Sequence, residues 1–216
     1  MAGCGAGVVL EQRWYAHRAL RSLLVYEIEL LAGGGDANGT TAAAAACSVI
    51  FSNCNGDNSK DMVTTIVSNT SAGVITSRST TTEPELANMP VTTVASVFRP
   101  PPTTLQIAAG RQNEHQFLAV FATSLIEDNA GGSDPVGAAE AIFAACSTGG
   151  ANAITLKETH AAAWDTLHSS RIELAGDDET ASAVAAAVNS SMFYLLSAAR
   201  VDWPFSTSPG GLANNA

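Results

Sequence analysis

The sequence predicts a mainly β protein of the α+β class, an antiparallel β-sandwich followed by C-terminal helices. Three observations lead to this fold class. Residues 24–30 alternate apolar and polar side chains with the period of two of a half-buried strand. Further short segments rich in Val, Ile, Thr and Phe follow, separated by Asn, Gly and Pro. After residue 128 the period becomes helical, so we place a β-sandwich domain over 1–128 and a helical region over 129–216.

The strand half begins its clearest pattern at Leu24. Glu27 and Glu29 share one face of that strand, and we interpret them as a solvated pair that protects a sheet edge. The run of three prolines over 100–102 cannot donate hydrogen bonds to a ladder, so it predicts a turn or a sheet edge. Residues 32–60 are rich in Gly, Ala, Asn and Asp and predict a long loop that carries one strand. The further predicted strands are 47–52, 61–68, 72–78, 91–98, 103–108 and 115–126.

The helical region contains three predicted helices. Asp134 is suited to cap the first helix, and Pro135 suits its first position. Thr155 and Glu158 have the spacing of a capping box at the start of the second. The third begins near Asp177, whose carboxylate suits the positive end of the helix dipole, and runs to residue 200. The predicted packing faces are Ala138, Ile142 and Cys146 in the first helix, Leu156, His160, Trp164 and Leu167 in the second, and Val184, Val188, Ser191 and Leu195 in the third.

Composition and charge exclude several classes of partner. The formal net charge is −10 and the ten basic residues form no stripe, which argues against nucleic-acid binding. The N-terminus lacks the pattern of a secretory signal, and no segment reaches the ~20 apolar residues of a membrane span. We therefore expect no membrane partner and a cytoplasmic location. Cys4, Cys47, Cys54 and Cys146 include no C-x-x-C pair, so we expect isolated thiols and no zinc site, with a Cys47–Cys54 bridge as the alternative.

The residues that carry chemistry each have a structural interpretation. The acidic run at 177–179 is explained by helix capping. His160 and His168 are eight residues apart, longer than the one-turn spacing of helical metal ligands, so we assign them to packing. The stretch from Trp14 to Arg18 predicts either a sugar-stacking surface or a buried, hydrogen-bonded His-Arg corner. The residues by themselves thus predict no catalytic residue, no metal and no cofactor.

Two blocks of the sequence follow the order of a known enzyme family. On these residues the chain resembles the N-terminal portion of glycoside hydrolase family 65, in the branch of protein-glucosylgalactosylhydroxylysine glucosidases and acid trehalases. The blocks comprise LEQRWYAHR at 10–18, LLVYEIEL at 23–30, HAAAW at 160–164, IELAGD at 172–177, NSSMFYLLS at 189–197 and SPGGL at 208–212.

The resemblance implies a fold, an activity and a binding segment. The fold is a supersandwich of the galactose-mutarotase type over 1–128, followed by linker helices and the start of an (α/α)6 barrel over 129–216. The activity is cleavage of α-glucosides with inversion, by hydrolysis or phosphorolysis, and the hydrolase branch needs two carboxyl groups about 6.5–9.5 Å apart across the glycosidic bond. Ser208, Gly210, Gly211 and Leu212 are implied to form a loop that enters the active site, because glycine permits close approach of the backbone.

The chain departs from the family pattern in two ways. The family's Tyr/Gly-His-x-Phe-Trp-Asp segment and its general acid follow the SPGGL stretch, and neither occurs before Ala216. His168 stands where relatives carry a second Trp. We therefore transfer no catalytic residue and expect this chain to be inactive by itself toward an α-glucoside. The competing expectations are a non-enzymatic carbohydrate-binding or scaffolding sandwich, and a truncated gene product without function.

Overall fold

The computed structural model describes residues 8–32, 47–52, 59–84, 87–88, 90–107, 113–124, 134–147, 156–170 and 178–198. These residues form eight strands and three α-helices. The strands are β1 (Val8–Ala16), β2 (Leu23–Ala32), β3 (Cys47–Ile50), β4 (Met62–Asn69), β5 (Ile75–Thr81), β6 (Thr93–Phe98), β7 (Thr104–Ile107) and β8 (Asn113–Thr123). The helices are α1 (Pro135–Ser147), α2 (Leu156–Leu167) and α3 (Glu179–Ala198).

The described strands form a six-stranded and a two-stranded antiparallel sheet. The larger sheet has the order β1-β2-β8-β6-β5-β4, and the smaller pairs β3 with β7. The predicted α+β class is confirmed as mostly antiparallel sheet with helices near the C-terminal end. In the larger sheet β1 and β4 are the edge strands, and β2 lies between two partners.

The strands predicted from local pattern all occur, with ends shifted by a few residues. The strand β1 is the exception, because its hydrophobic pattern does not predict a strand. Its residues carry polar and apolar side chains on both faces, as Gln12 beside Trp14 and Arg13 beside Tyr15 illustrate. A period-2 pattern of hydrophobicity is therefore missing in β1, although the strand is well paired with β2.

The helix α1 covers one end of one face of the large sheet. It packs on β6 and β8 and touches β5. Strand register places Leu23, Val120 and Val97 side by side beneath this region, and all three are buried. Removing these side chains from water stabilises the packing of the helix on the sheet. The helix contributes Pro135, Val136, Ala139 and Phe143 to the buried set.

The packing face of α1 differs from the predicted one. Ala138, Ile142 and Cys146 are only half-buried, whereas Val136 and Phe143 are buried. The prediction was wrong by about one residue around the helix, because the bulkier Phe143 turns its own side of the helix toward the sheet. The start of the helix agrees with the prediction, since the amide of Val136 donates to Asp134 Oδ1 at 3.4 Å.

Two compact units make up the chain, Met1–Thr155 and Leu156–Ala216. The helix α1 belongs to the first unit with the sheets, and the predicted boundary at 128/129 stays a prediction. In the second unit the Trp164 ring of α2 stacks on the Phe193 ring of α3, with 5.1 Å between the centroids. The amide of Ala181 donates to Asp178 Oδ1 at 2.7 Å, which caps α3.

The described helices do not combine the length and the apolar character that a bilayer crossing demands. Much of the predicted loop over 32–60, and Thr155 of the predicted capping box, lie outside the described residues.

Candidate functional site

Strands β1, β2 and β8 give the two faces of the large sheet different chemistry. At one register position Arg13, Glu27 and Gln116 lie side by side. At the next position Trp14, Tyr26 and Phe117 lie side by side. Successive residues of a strand point to opposite faces, so one face is charged at this level and the other is aromatic. Each face is a candidate for function, and they differ in exposure.

The charged face holds one guanidinium among three carboxylates. Arg13 Nε donates to Glu11 Oε1 at 2.7 Å, and Arg13 Nη2 donates to Glu29 Oε2. Arg13 Nη1 lies 3.6 Å from Glu27 Oε2, an ion pair at slightly more than hydrogen-bond distance. Glu27 Oε1 accepts hydrogen bonds from the Tyr15 hydroxyl at 2.8 Å and from Gln116 Nε2 at 3.0 Å. The cluster is thus a polar network in which Arg13 is the central donor.

The solvated interpretation of Glu27 and Glu29 is wrong. The Glu27 side chain has no exposed surface and Glu29 is buried. β2 has β1 on one side and β8 on the other, so the side chains of Arg13, Tyr15 and Gln116 on these strands surround the Glu27 carboxylate. The hydrogen bonds from Arg13 to Glu11 and Glu29 raise the pKa of the guanidinium above its ordinary range, which keeps it cationic.

The buried cluster is suited to holding strands together and unsuited to catalysis. A general acid or base of a glycosidase must reach the glycosidic oxygen or a water molecule. Glu27 is closed to solvent; its Oε1 accepts hydrogen bonds from Tyr15 and Gln116, while its Oε2 lies 3.6 Å from Arg13 Nη1 and has no hydrogen bond among the described residues. The buried charges are compensated by partners on two neighbouring strands, the usual condition for burying a charge.

The opposite face carries a row of stacked aromatic rings. The Trp14 and Tyr26 ring centroids are 5.5 Å apart with an interplanar angle of 16°. The Tyr26 and Phe117 centroids are 5.8 Å apart with an angle of 29°. Phe51, which directly follows β3, meets Tyr26 and Phe117 edge-on at 6.4 and 5.9 Å. We call Trp14, Tyr26 and Phe117 the aromatic row, and its ring contacts hold it in one arrangement.

The 14–18 stretch carries an exposed ring at Trp14 and a buried, hydrogen-bonded imidazole at His17, and its sugar-stacking interpretation stays a prediction. Trp14 is 66% exposed at the end of the aromatic row, as a sugar-stacking surface requires. His17 is buried, and its Nδ1 accepts a hydrogen bond from the Leu20 amide at 2.9 Å. The alternation of a strand explains how one short stretch supplies both an exposed ring and a buried imidazole.

Burial in the row raises the pKa of the Tyr26 phenol above its ordinary value near 10. The neutral phenol is therefore favoured in the folded state. Its contribution to stability is complete below the unfolded pKa and is lost as the pH rises through the folded pKa. We predict a late phenol ionisation in a spectrophotometric titration, which Tyr26→Phe removes and Tyr194→Phe leaves in place. Ionisation of Tyr26 at its ordinary pKa would contradict this.

The remaining predicted site residues are the 208–212 loop and the histidines of the second unit. Ser208, Gly210, Gly211 and Leu212 lie outside the described residues, so their assignment stays a prediction. Among the described residues, no group of His, Cys, Asp and Glu is arranged to hold a metal ion. His160 and His168 meet the Trp164 ring edge-on, at 6.4 and 5.5 Å, which is the packing role predicted for them.

The cysteines are described only in part. Cys146 is a free thiol, and burial raises its pKa. Cys4 and Cys54 lie outside the described residues, and the alternative of a Cys47–Cys54 bridge stays a prediction.

The aromatic row could not be predicted from the sequence, because its members come from three strands. Trp14 alone belongs to a stretch singled out by its composition. In the sequence, Tyr26 and Phe117 each occupy an apolar position of a predicted strand, with no sign that they belong together. Only the register of β1, β2 and β8 brings the three rings together.

Comparison with known proteins finds sequence similarity to a glucosidase. No family model matches it. Over 217 residues it is 30% identical to a protein-glucosylgalactosylhydroxylysine glucosidase of Dictyostelium discoideum. The match covers 97% of this chain and 27% of that protein, so the chain spans about a quarter of the relative's length. Nearly the whole chain is therefore similar to one part of a glucosidase, which relates it to a glycosidase.

Proposed function

We propose that the chain forms the N-terminal part of an α-glucosidase of the glycoside hydrolase family 65 type. The observation that carries the proposal is the 30% identity to a glucosidase over 97% of the chain. A match of that extent involves both compact units and so exceeds one shared motif. The substrate class is an α-glucoside, either a glucosylgalactosyl-hydroxylysine or a trehalose-like disaccharide.

In this proposal the two predicted regions, 1–128 and 129–216, have different places in the larger architecture. The sheets within 1–128 are parts of a supersandwich. The helices within 129–216 are the linker and the first helices of an (α/α)6 barrel. Ser208, Gly210, Gly211 and Leu212 form a loop that contacts the substrate. The exposed apolar side chains of α3 support the barrel assignment, since Val184, Phe193, Tyr194 and Leu195 offer a surface to further helices.

The chain by itself is proposed to be catalytically inactive. Glu27 is closed to solvent, Glu29 is buried, and the partly exposed Glu11 is hydrogen-bonded to Arg13, so the charged cluster supplies no pair of accessible carboxyl groups. Two carboxyl groups at the separation that inversion requires must come from elsewhere. The sandwich then has a supporting role, and its rigid network of hydrogen bonds suits that role.

A chimera tests the proposal. The matching segment of the Dictyostelium glucosidase is replaced by this chain, and glucose release is measured with glucosylgalactosylhydroxylysine and with trehalose. We expect the folded chimera to release glucose and the isolated 216-residue protein to release none from either substrate. The matched control is the chimera carrying Ile66→Ala, an exposed substitution on the edge strand β4 that should leave both folding and glucose release unchanged.

Two results would contradict the proposal. One is a chimera that folds, as judged by circular dichroism and gel filtration, yet releases no glucose. The other is glucose release by the isolated chain that a single carboxylate substitution abolishes, since this would place the catalytic pair within the chain.

A second candidate function is favoured by the aromatic row. A non-enzymatic carbohydrate-binding module needs an exposed, rigid aromatic surface, and Trp14 provides one. The two functions are compatible, because a sugar-binding sandwich can accompany a separate catalytic barrel.

A further inference from the structure

We propose that the outer face of Trp14, with Gln12 and the Tyr26 hydroxyl, is a non-catalytic binding site for a neutral pyranose ring. The choice of a sugar as the ligand rests in part on the proposed function. The location, the geometry and the charge of the site rest on the residues themselves. The site is distinct from the predicted loop at 208–212 and contains no acid or base.

The position of Trp14 leaves one face of its indole ring open. Tyr26 stacks against one side of the ring at 5.5 Å and nearly parallel to it. The strand β1 is the edge of the described sheet, so no described strand lies beyond the other side. The residue is 66% exposed although its ring is held by a stacking partner. An aromatic ring with one fixed and one open face suits the apolar C–H face of a pyranose.

The polar groups next to the ring match what a sugar hydroxyl needs. The Tyr26 hydroxyl donates to Gln12 Oε1 at 3.2 Å. This bond leaves the lone pairs of the phenol oxygen as acceptors and the amide nitrogen of Gln12 as a donor. A sugar hydroxyl both donates and accepts, so it can pair with either group. An aliphatic protein side chain would gain nothing from them.

The neighbouring register position leaves space for a ligand beside the row. Ala16, Leu24 and Ala119 are paired there across β1, β2 and β8. Two of the three side chains are methyl groups, so they project less far from the sheet than the rings of the aromatic row. Ala16 is exposed next to Trp14, which leaves room for a ring to lie against the indole.

Charge disfavours an anionic ligand at this face. The charged residues of β1 and β2, namely Glu11, Arg13, Glu27 and Glu29, lie at the alternate positions and so on the opposite face. The protein as a whole has a net charge of −10, which disfavours an anionic ligand. A sugar without charge meets neither repulsion nor an unpaired ion at this face.

The row is also pre-organised. Phe51 and Phe117 contact Tyr26 from two further directions, which restricts its ring and through it the Trp14 ring. A site that is ordered before binding loses little conformational entropy when the ligand arrives. Binding by a single platform of this kind should still be weak, because one ring face is a small contact.

Titration calorimetry on the 216-residue chain tests the site, with methyl α-D-glucopyranoside, trehalose and kojibiose as ligands. We expect saturable binding that Trp14→Ala weakens by about tenfold or more and Trp14→Phe by about threefold. The matched control is Ile66→Ala, because Ile66 is 65% exposed on the edge strand β4, far from the row. We expect that control to bind as the parent does. Circular dichroism of each variant confirms that the fold is retained.

Several outcomes would overturn the site. They are a folded parent chain that binds none of the three sugars, a Trp14→Ala variant that binds as tightly as the parent, and equal loss in Ile66→Ala. Self-association that disappears with Trp14→Ala, measured by light scattering, would identify a protein contact and overturn the sugar site as well. The chimera assay tests the proposed function separately. If the chimera is active but the isolated chain binds no sugar, only this site is rejected. If sugar binding depends on Trp14, the site is supported even when the chimera is inactive.

Discussion

Replacing Arg13 with methionine is expected to lower the free energy of unfolding by about 3–5 kcal/mol. Arg13 is the central cation for Glu11, Glu27 and Glu29. Without it, the buried carboxylate of Glu27 loses its ion pair and keeps only the hydrogen bonds from Tyr15 and Gln116. Removing one partner of a buried pair leaves a charge without compensation, and this costs far more than the pair contributes. The loss is a large share of the 5–15 kcal/mol that typically separates folded from unfolded protein.

Urea unfolding followed by circular dichroism measures this loss. The discriminating background is Glu27→Gln, which removes the buried charge and keeps an oxygen to accept the two hydrogen bonds. In that background Arg13→Met should cost less by the share that Glu27 contributes, while Glu29 still loses its hydrogen bond from Arg13, so a double-mutant cycle reports the coupling of residues 13 and 27. Glu11→Gln is the matched control, since Glu11 is partly exposed and should change stability by less than about 1 kcal/mol. Equal costs of Arg13→Met in both backgrounds would contradict the network.

Truncating Phe143 to alanine should destabilise the first unit by about 3–5 kcal/mol. Phe143 is 7% exposed on the face of α1 that packs on β6 and β8. Its removal takes an aromatic ring from the contact and leaves a cavity between α1 and strands β6 and β8, which a close-packed interior fills only in part. The expected effect is a lower midpoint of urea unfolding with intact secondary structure at zero denaturant.

The comparison variant is Phe121→Ala, which removes the same side chain from a position that is 45% exposed on the opposite face of the sheet. It should cost about 1 kcal/mol or less, because little apolar surface is returned to water. Similar losses in the two variants would show that α1 is not held by Phe143.

Local sequence pattern correctly predicted the features that depend on a single strand or helix. The change from period 2 to a helical period near residue 128 separates the described strands from the described helices. The caps at Asp134 and Asp178 follow from the chemistry of a helix start, which needs acceptors for unpaired amides. Strand β1 lacked such a signal, because both of its faces mix polar and apolar residues.

Local sequence pattern gave wrong predictions where the burial of a side chain depends on neighbouring elements. Glutamates alternating in β2 look solvated when the strand is considered alone, yet Glu27 is closed to solvent by its position between β1 and β8. The packing face of α1 was misjudged for a similar reason. The sheet selects the side of the helix that carries Phe143, and hydrophobic periodicity is too coarse to resolve one residue around the helix.

By itself the sequence determined the α+β class, the approximate places of the strands and helices, and the resemblance to a glycosidase. These follow from side-chain period, helix caps and residue order, all of which are local or linear properties. Only the tertiary structure decided that Arg13 faces three carboxylates and that Trp14, Tyr26 and Phe117 form one row. Residues 14, 26 and 117 meet through strand register, which depends on how the whole sheet pairs its backbone hydrogen bonds and buries its faces.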